Sequence, residues 1–91
     1  MTQIAREVTI CNARGLHARA AAKFVEMAQG FDATIHVSRD GETVNADSIM
    51  ELLMLAAAKG SVIGIVSEGP DAETAADSLC ELVEAGFHED A

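Results

Sequence analysis

His17 stands in the stretch Gly15-Leu16-His17-Ala18-Arg19-Ala20-Ala21-Ala22, where a glycine-containing segment gives way to an alanine-rich, helix-favouring run. Neutral imidazole is a nucleophile near pH 7, because its ordinary pKa is about 6.5. The first turn of a helix carries N–H groups without intrahelical partners and the positive end of the helix dipole, and together these hold anions. Arg19, two residues on, adds a guanidinium suited to phosphate oxygens. Nucleophile, anion cradle and cation at this spacing can accept a phosphoryl group. The residues alone leave a second reading open, in which His17 ends a loop or caps the helix and does nothing more.

The charge balance sharpens the contrast between this spot and the rest of the chain. Fifteen acidic against six basic residues give a formal net charge of −9 over 91 residues. Such a chain repels nucleic acid and has few cations with which to displace counterions, so no nucleic-acid partner is expected. Arg14, Arg19 and Lys23 nevertheless fall close to His17 in sequence, predicting a small positive field on an acidic body. No apolar run approaches the roughly 20 residues of a membrane span. Met1 to Glu7 lack the basic start and apolar middle of a signal peptide, so a cytoplasmic location without a membrane partner is expected. Cys11 and Cys80 form neither a metal-ligand spacing nor a Cys-x-x-Cys pair, and both are expected as free thiols, one on a strand and one beside a helix's buried stripe. No metal site is expected. His36 on a strand's polar face and His88 in an acidic tail read as ordinary surface residues.

The elements that position His17 follow from hydrophobic periodicity. Arg6 to Ile10 alternates, predicting a half-buried strand with Val8 and Ile10 inward. Ala21, Phe24, Val25 and Ala28 recur at helical spacing, so a first helix runs from about His17 to Gln29 and stops at Gly30. Thr34 to Ser38 alternates again, and Asp40-Gly41 is a hairpin signal returning the chain through Glu42-Thr43-Val44. Ser48-Ile49-Met50-Glu51 has the form of a capping box. It opens a helix expected to reach about Ala58, with Leu52, Leu55 and Ala56 in the core. Val62 to Val66 reads as a buried strand. After Gly69-Pro70-Asp71, the residues Ala72, Ala75, Ala76, Leu79, Leu82 and Val83 form the apolar stripe of a last helix closed by Gly86. The order is βαββαβα within a single domain spanning residues 1–91. The hairpin requires antiparallel pairing, and the alternating strands leave one sheet face polar. The predicted fold is therefore an α/β (α+β) open-faced sandwich, an antiparallel four-stranded sheet covered on one face by three helices.

Asn12 through Ala22, then Gln29-Gly30-Phe31-Asp32-Ala33, Asn45-Ala46-Asp47-Ser48-Ile49-Met50 and Ala58-Lys59-Gly60, resemble the histidine-containing phosphocarrier (HPr) family of the bacterial phosphoenolpyruvate-dependent phosphotransferase system. The resemblance runs from about Ile4 to Phe87. Leu52-Leu53-Met54-Leu55 and the ending Ala85-Gly86-Phe87-His88-Glu89-Asp90 look most like its nitrogen-related branch, often called NPr. The resemblance implies the same open-faced fold. It also implies that His17 is phosphorylated on Nδ1 by enzyme I and passes the group to a histidine of an enzyme IIA-type protein. Backbone N–H groups of Ala18 and Arg19, with the Arg19 side chain, would then hold the phosphoryl oxygens, and the carrier itself would need no cofactor.

The same resemblance gives Ser48 a regulatory reading, since in some members this serine is phosphorylated by an ATP-dependent HPr serine kinase/phosphatase and relay through the histidine is inhibited. Locally Ser48 is an N-cap, and Asp47 and Glu51 add negative charge where the family often has other residues. The first residues of the second helix dock into partners in the family, which points to Ile49, Met50 and Leu53, with Ala20 and Lys23 of the neighbouring helix, as the contact patch. Ala20 stands where most of the family has proline, so the helix is kept with a less rigid first turn. The expected protein is a monomeric phosphoryl-transfer intermediate in the nitrogen-related branch, with sugar-uptake HPr and a non-transferring regulatory module as the competing readings. An independent enzyme is disfavoured because no second acid–base group accompanies His17 at an interpretable spacing.

Overall fold

The computed structural model describes residues 3–89, so Met1 and Thr2 of the sequence's start and Asp90 of its acidic ending lie outside the described residues. Along the chain run β1 (Gln3–Thr9), α1 (Ala18–Gln29), β2 (Thr34–Arg39), β3 (Glu42–Asn45), α2 (Ile49–Met54), β4 (Val62–Glu68) and α3 (Ala72–Glu84), followed by a single turn at Gly86–His88. The four strands form one antiparallel sheet in the order β1-β4-β2-β3. Periodicity could not supply that order.

Alternation in the strands produces the two faces. Val8, Ile35, Val37, Ile63 and Ile65 are buried on one side, and their neighbours point to the other. Phe24 and Val25 of α1, Leu52 of α2, and Leu79 and Val83 of α3 pack onto the buried side, and α3 lies across β1 and β4. The open-faced sandwich expected from the sequence is the fold observed. Val62 is 52% exposed, so β4 is buried through alternate residues rather than along its length. One face of this sheet has no helices to cover it. Ile10 is buried as expected but lies just past the end of β1, where its backbone bonds to Gly60 and Ser61. Cys11 follows it, exposed and off the strand. At the β2–β3 hairpin Asp40 and Gly41 both take positive φ, 49° and 85°, which a two-residue turn of this hand requires.

The second helix departs most from its expected course. It ends at Met54 rather than near Ala58. Ala56 turns left-handed at φ 51° and is exposed instead of joining the core. Arg39 Nη1 donates to the Leu55 carbonyl at 3.0 Å, satisfying a group that another helical turn would have used. Beyond it, Ala57 is buried and its carbonyl accepts from Leu16 N–H at 2.8 Å. The chain leaves the helix early and so braces the loop that carries His17.

Candidate functional site

Four residues make the turn before His17. Gly15 N–H donates to the Asn12 carbonyl at 3.1 Å, and the Asn12 side-chain amide donates to the Gly15 carbonyl at 2.8 Å. Gly15 has φ +65°, and a Cβ there would sit 2.6 Å from the Ala57 carbonyl oxygen and 2.9 Å from Ala58 Cα. Only glycine combines that backbone conformation with that approach. Leu16, 5% exposed, then plugs into the core, and His17 follows as the residue preceding α1.

The start of α1 is open. His17 makes no side-chain capping bond, and the first turn holds no acidic residue. The first intrahelical bond runs from Ala21 N–H to the His17 carbonyl, which leaves the N–H groups of Ala18, Arg19 and Ala20 ahead of the ladder. Ala18 and Arg19 are exposed, and among the described residues Arg19 has no ion-pair partner. The helix end thus presents free donors, the positive dipole end and an unpaired guanidinium beside an imidazole that is 19% exposed. That combination suits an anion that must arrive and leave.

The imidazole has a partner that sequence reasoning missed. His17 Nε2 pairs with Glu89 Oε1, and the same oxygen accepts from Asn12 Nδ2 at 3.3 Å. The hydrogen bond from His17 holds the Glu89 carboxyl below the usual value of 4.5. Desolvation opposes this, while Asn12 and the charges of His17 and Arg14 add to it. Glu89 lies 72 positions from His17, at no motif spacing, and an acidic tail residue gives no sign of where it folds back. The only sequence cue is Asn12, at the start of the stretch that carries the resemblance.

One cation of the expected positive cluster is engaged by the backbone. Arg14 and Arg19 are exposed near His17, but Lys23 is half-buried and donates to the Phe87 carbonyl at 2.7 Å. Lys23 ties down the C-terminal turn, which removes its ammonium from the expected contact patch. Ala20 also leaves that patch, since it is fully buried against the core. The other expected members stay accessible: Met50 is 73% exposed, Ile49 39% exposed and Leu53 half-buried, and Met54 joins them at 70%. Ala22 and Glu26 of α1 share a groove with Ser48, Ile49 and Met50.

At the start of α2, Ser48 Oγ accepts from Glu51 N–H at 3.2 Å, the first half of the expected capping box. The reciprocal half is absent, because Glu51 Oε1 accepts from Asn45 N–H at 3.1 Å instead. Glu51 thereby ties the helix to β3. Cys11 and Cys80 are free thiols. Burial, reinforced by the charge of Glu84, pushes the Cys80 thiol above its ordinary value, so it is a poor nucleophile at neutral pH. Among the described residues no group of three or more His, Cys, Asp or Glu could hold a metal ion, and no helix is long and apolar enough to cross a membrane.

Known proteins resemble this chain in sequence and in fold. The family model described as "PTS HPr component phosphorylation site" matches residues 4–85. The chain is 45% identical over 89 residues to phosphocarrier protein NPr of Shewanella violacea, covering 98% of each. It is 44% identical over 84 residues to phosphocarrier protein HPr of Cupriavidus necator, covering 92% of this chain and 94% of that one. The solved structure of HPr-C-His from Thermoanaerobacter tengcongensis superposes with a TM-score of 0.89 at 40% identity, over the whole of both chains. HPr from Bacillus anthracis does so at 0.87 and 43% identity, over 91% of this chain and 99% of that one. An HPr dimer from Thermoanaerobacter tengcongensis matches at 0.76 and 40% identity, covering 98% and 100%. Fold and site together define a small phosphocarrier that works with the enzymes of the phosphotransferase system. The chain belongs to the HPr family, which includes the NPr proteins.

Proposed function

We propose that His17 accepts a phosphoryl group on Nδ1 from enzyme I and passes it to a histidine of an enzyme IIA-type protein, in the nitrogen-related branch of the system. The observation that carries this reading is the open start of α1, with free N–H groups at Ala18 and Arg19 beside a partly sheltered imidazole. In the loading step the Nδ1 lone pair forms a bond to phosphorus while the bond from phosphorus to its carrier atom on enzyme I breaks, and that carrier atom keeps the electron pair. Backbone N–H groups of Ala18 and Arg19, and the Arg19 guanidinium, hold the phosphoryl oxygens. Delivery reverses the step towards the acceptor histidine. A monomer is the transferring unit in this reading, and the cytoplasm is the compartment this relay implies.

Ile49, Met50 and Leu53 form the surface on which both partners dock. Their exposure supports this, and unbranched methionines suit a surface that fits more than one partner. Ser48 caps α2, and phosphorylation there by an HPr serine kinase/phosphatase would add charge at the docking face. The nitrogen-related branch is favoured by the NPr relative, which matches along nearly the full chain, and by Leu52-Leu53-Met54-Leu55 on the docking helix.

Incubation with phosphoenolpyruvate, Mg²⁺ and the enzyme I of the same organism tests the reading. Intact mass at neutral pH should rise by one acid-labile phosphoryl group, absent from His17→Ala. An unmodified wild type, or a group retained in the variant, would overturn it.

A further inference from the structure

The turn after α3 is built to deliver a carboxylate to the imidazole. Gly86, Phe87 and His88 all have positive φ, at 63°, 57° and 59°, a conformation that the two side-chain-bearing residues rarely adopt. Phe87 is fully buried, and Lys23 of α1 holds its carbonyl at 2.7 Å. Glu89 N–H then bonds to the Gly86 carbonyl at 3.1 Å, and the Glu89 carboxylate reaches both His17 and Asn12. Asn12 is only 7% exposed. Its Nδ2 serves two acceptors, the Gly15 carbonyl and Glu89, so turning the amide over would bring oxygen against oxygen. Asn12 Oδ1 is left buried without a partner. A buried amide that sacrifices one of its own bonds to aim its nitrogen at a carboxylate calls for an explanation beyond holding a turn.

We propose that Glu89 is a positioning residue for His17, accepting the Nε2 proton so that Nδ1 presents its lone pair to the incoming phosphoryl group, with Asn12 holding the carboxylate in place. The inference rests on the reading of His17 as the phosphoryl acceptor. An ionised carboxylate has no proton to give, so Nε2 is the donor of the pair. A neutral imidazole carries one ring proton, and with that proton on Nε2 the nucleophilic nitrogen is Nδ1. As Nδ1 gives its lone pair to phosphorus, the ring gains positive charge beside the Glu89 carboxylate. The Nε2 proton stays on the ring, the carrier atom on enzyme I recovers the pair from its broken bond to phosphorus, and His17 releases no proton. The buried acid of a serine-protease triad steadies its histidine in the same way.

The experiment uses the full chain, ¹⁵N-labelled, as wild type, Glu89→Gln and Glu89→Ala, with thermal unfolding to establish that each is folded. At neutral pH the wild-type Nε2–H should give an observable, slowly exchanging resonance. It should weaken in Glu89→Gln, which keeps an acceptor oxygen but loses the charge, and vanish in Glu89→Ala. Single-turnover transfer from phosphorylated enzyme I should slow in the same order, by about tenfold in Glu89→Ala, well short of the loss on neutralising a buried triad acid because this site is partly open. An Nε2–H signal unchanged in Glu89→Ala would overturn the proposal, and so would transfer at the wild-type rate after that signal is lost. Failure of His17 as the acceptor is distinguishable: wild type would then take no phosphoryl group while the resonance still reported the contact.

Discussion

The starts of α1 and α2 face the same physical problem and resolve it in opposite ways. At α2, Ser48 accepts from Glu51 N–H and Glu51 places negative charge in the first turn, so the helix end is satisfied by its own sequence neighbours. At α1, His17 caps nothing, no acid enters the first turn, and the residues that fix its place come from afar: Gly15 against Ala57, and Glu89 from the end of the chain. A helix end that caps itself has used up part of its capacity for anions. One held open from outside keeps that capacity for a ligand. On the proposed reading of His17, the difference separates a helix start that serves stability from one that serves transfer.

The largest effect should come from breaking the external support of α1. Gly15→Ala would put a Cβ 2.6 Å from the Ala57 carbonyl at φ +65°. We expect a loss of about 3 kcal/mol from strain and crowding, together with slowed transfer as His17 shifts. Denaturant melts and transfer rates check both parts, and a variant as stable as wild type would show that the turn is not held as described.

Met50→Glu tests whether the α2 face serves transfer at all. Met50 is 73% exposed, so the fold should be unaffected. A carboxylate beside partners that carry phosphoryl groups should weaken transfer roughly tenfold, since like charges at an interface oppose docking. A variant with normal transfer would place Met50 outside the interface.

Removing the Ser48 hydroxyl should be felt in stability, and adding charge there should be felt in transfer. Ser48→Ala should cost about 1 kcal/mol through loss of the cap, while His17 is still loaded normally. Ser48→Asp should keep the cap, because aspartate also accepts at this position, and should slow loading by charge repulsion. Equal transfer rates in Ser48→Asp and wild type would leave Ser48 with the cap alone.

The smallest effect concerns pH. The folded Glu89 carboxyl titrates below its usual 4.5 because His17, and secondarily Asn12, bond to its charged form. Its contribution to stability is therefore fully present above about pH 4.5 and is lost as pH falls through the lower folded value. The carboxyl ¹³C midpoint of Glu89 should lie below 4.5 and rise in Asn12→Ala. A midpoint unmoved in that variant would show that Asn12 does not hold the carboxylate.

What could be read from the sequence was local. The α1 stripe of Phe24, Val25 and Ala28, the Asp40-Gly41 hairpin and the Ser48 cap each follow from residues within one or two turns of one another, and each is observed. His17 could be singled out because glycine, histidine and arginine stand within five positions. Most of the misplacements involve partners distant in sequence, and Glu51 with Asn45, six positions away, is the exception. Arg39 bonds the Leu55 carbonyl where α2 ends, the Phe87 carbonyl engages the half-buried Lys23, the core buries Ala20, and Glu51 turns to Asn45. Glu89 meets His17 only because Phe87 and the backbone around it bring the tail back. No spacing rule contains that return.

The central claim is that the open start of α1, and not the capped start of α2, receives the phosphoryl group. Backbone ¹H–¹⁵N spectra recorded before and after loading by enzyme I and phosphoenolpyruvate test it most directly. The amides of Ala18 and Arg19 should show the largest shifts, together with the appearance of a phosphohistidine ³¹P signal, while the amide of Glu51, already bonded to Ser48, should move little. Loading that left Ala18 and Arg19 unmoved, or that moved the start of α2 instead, would contradict the account.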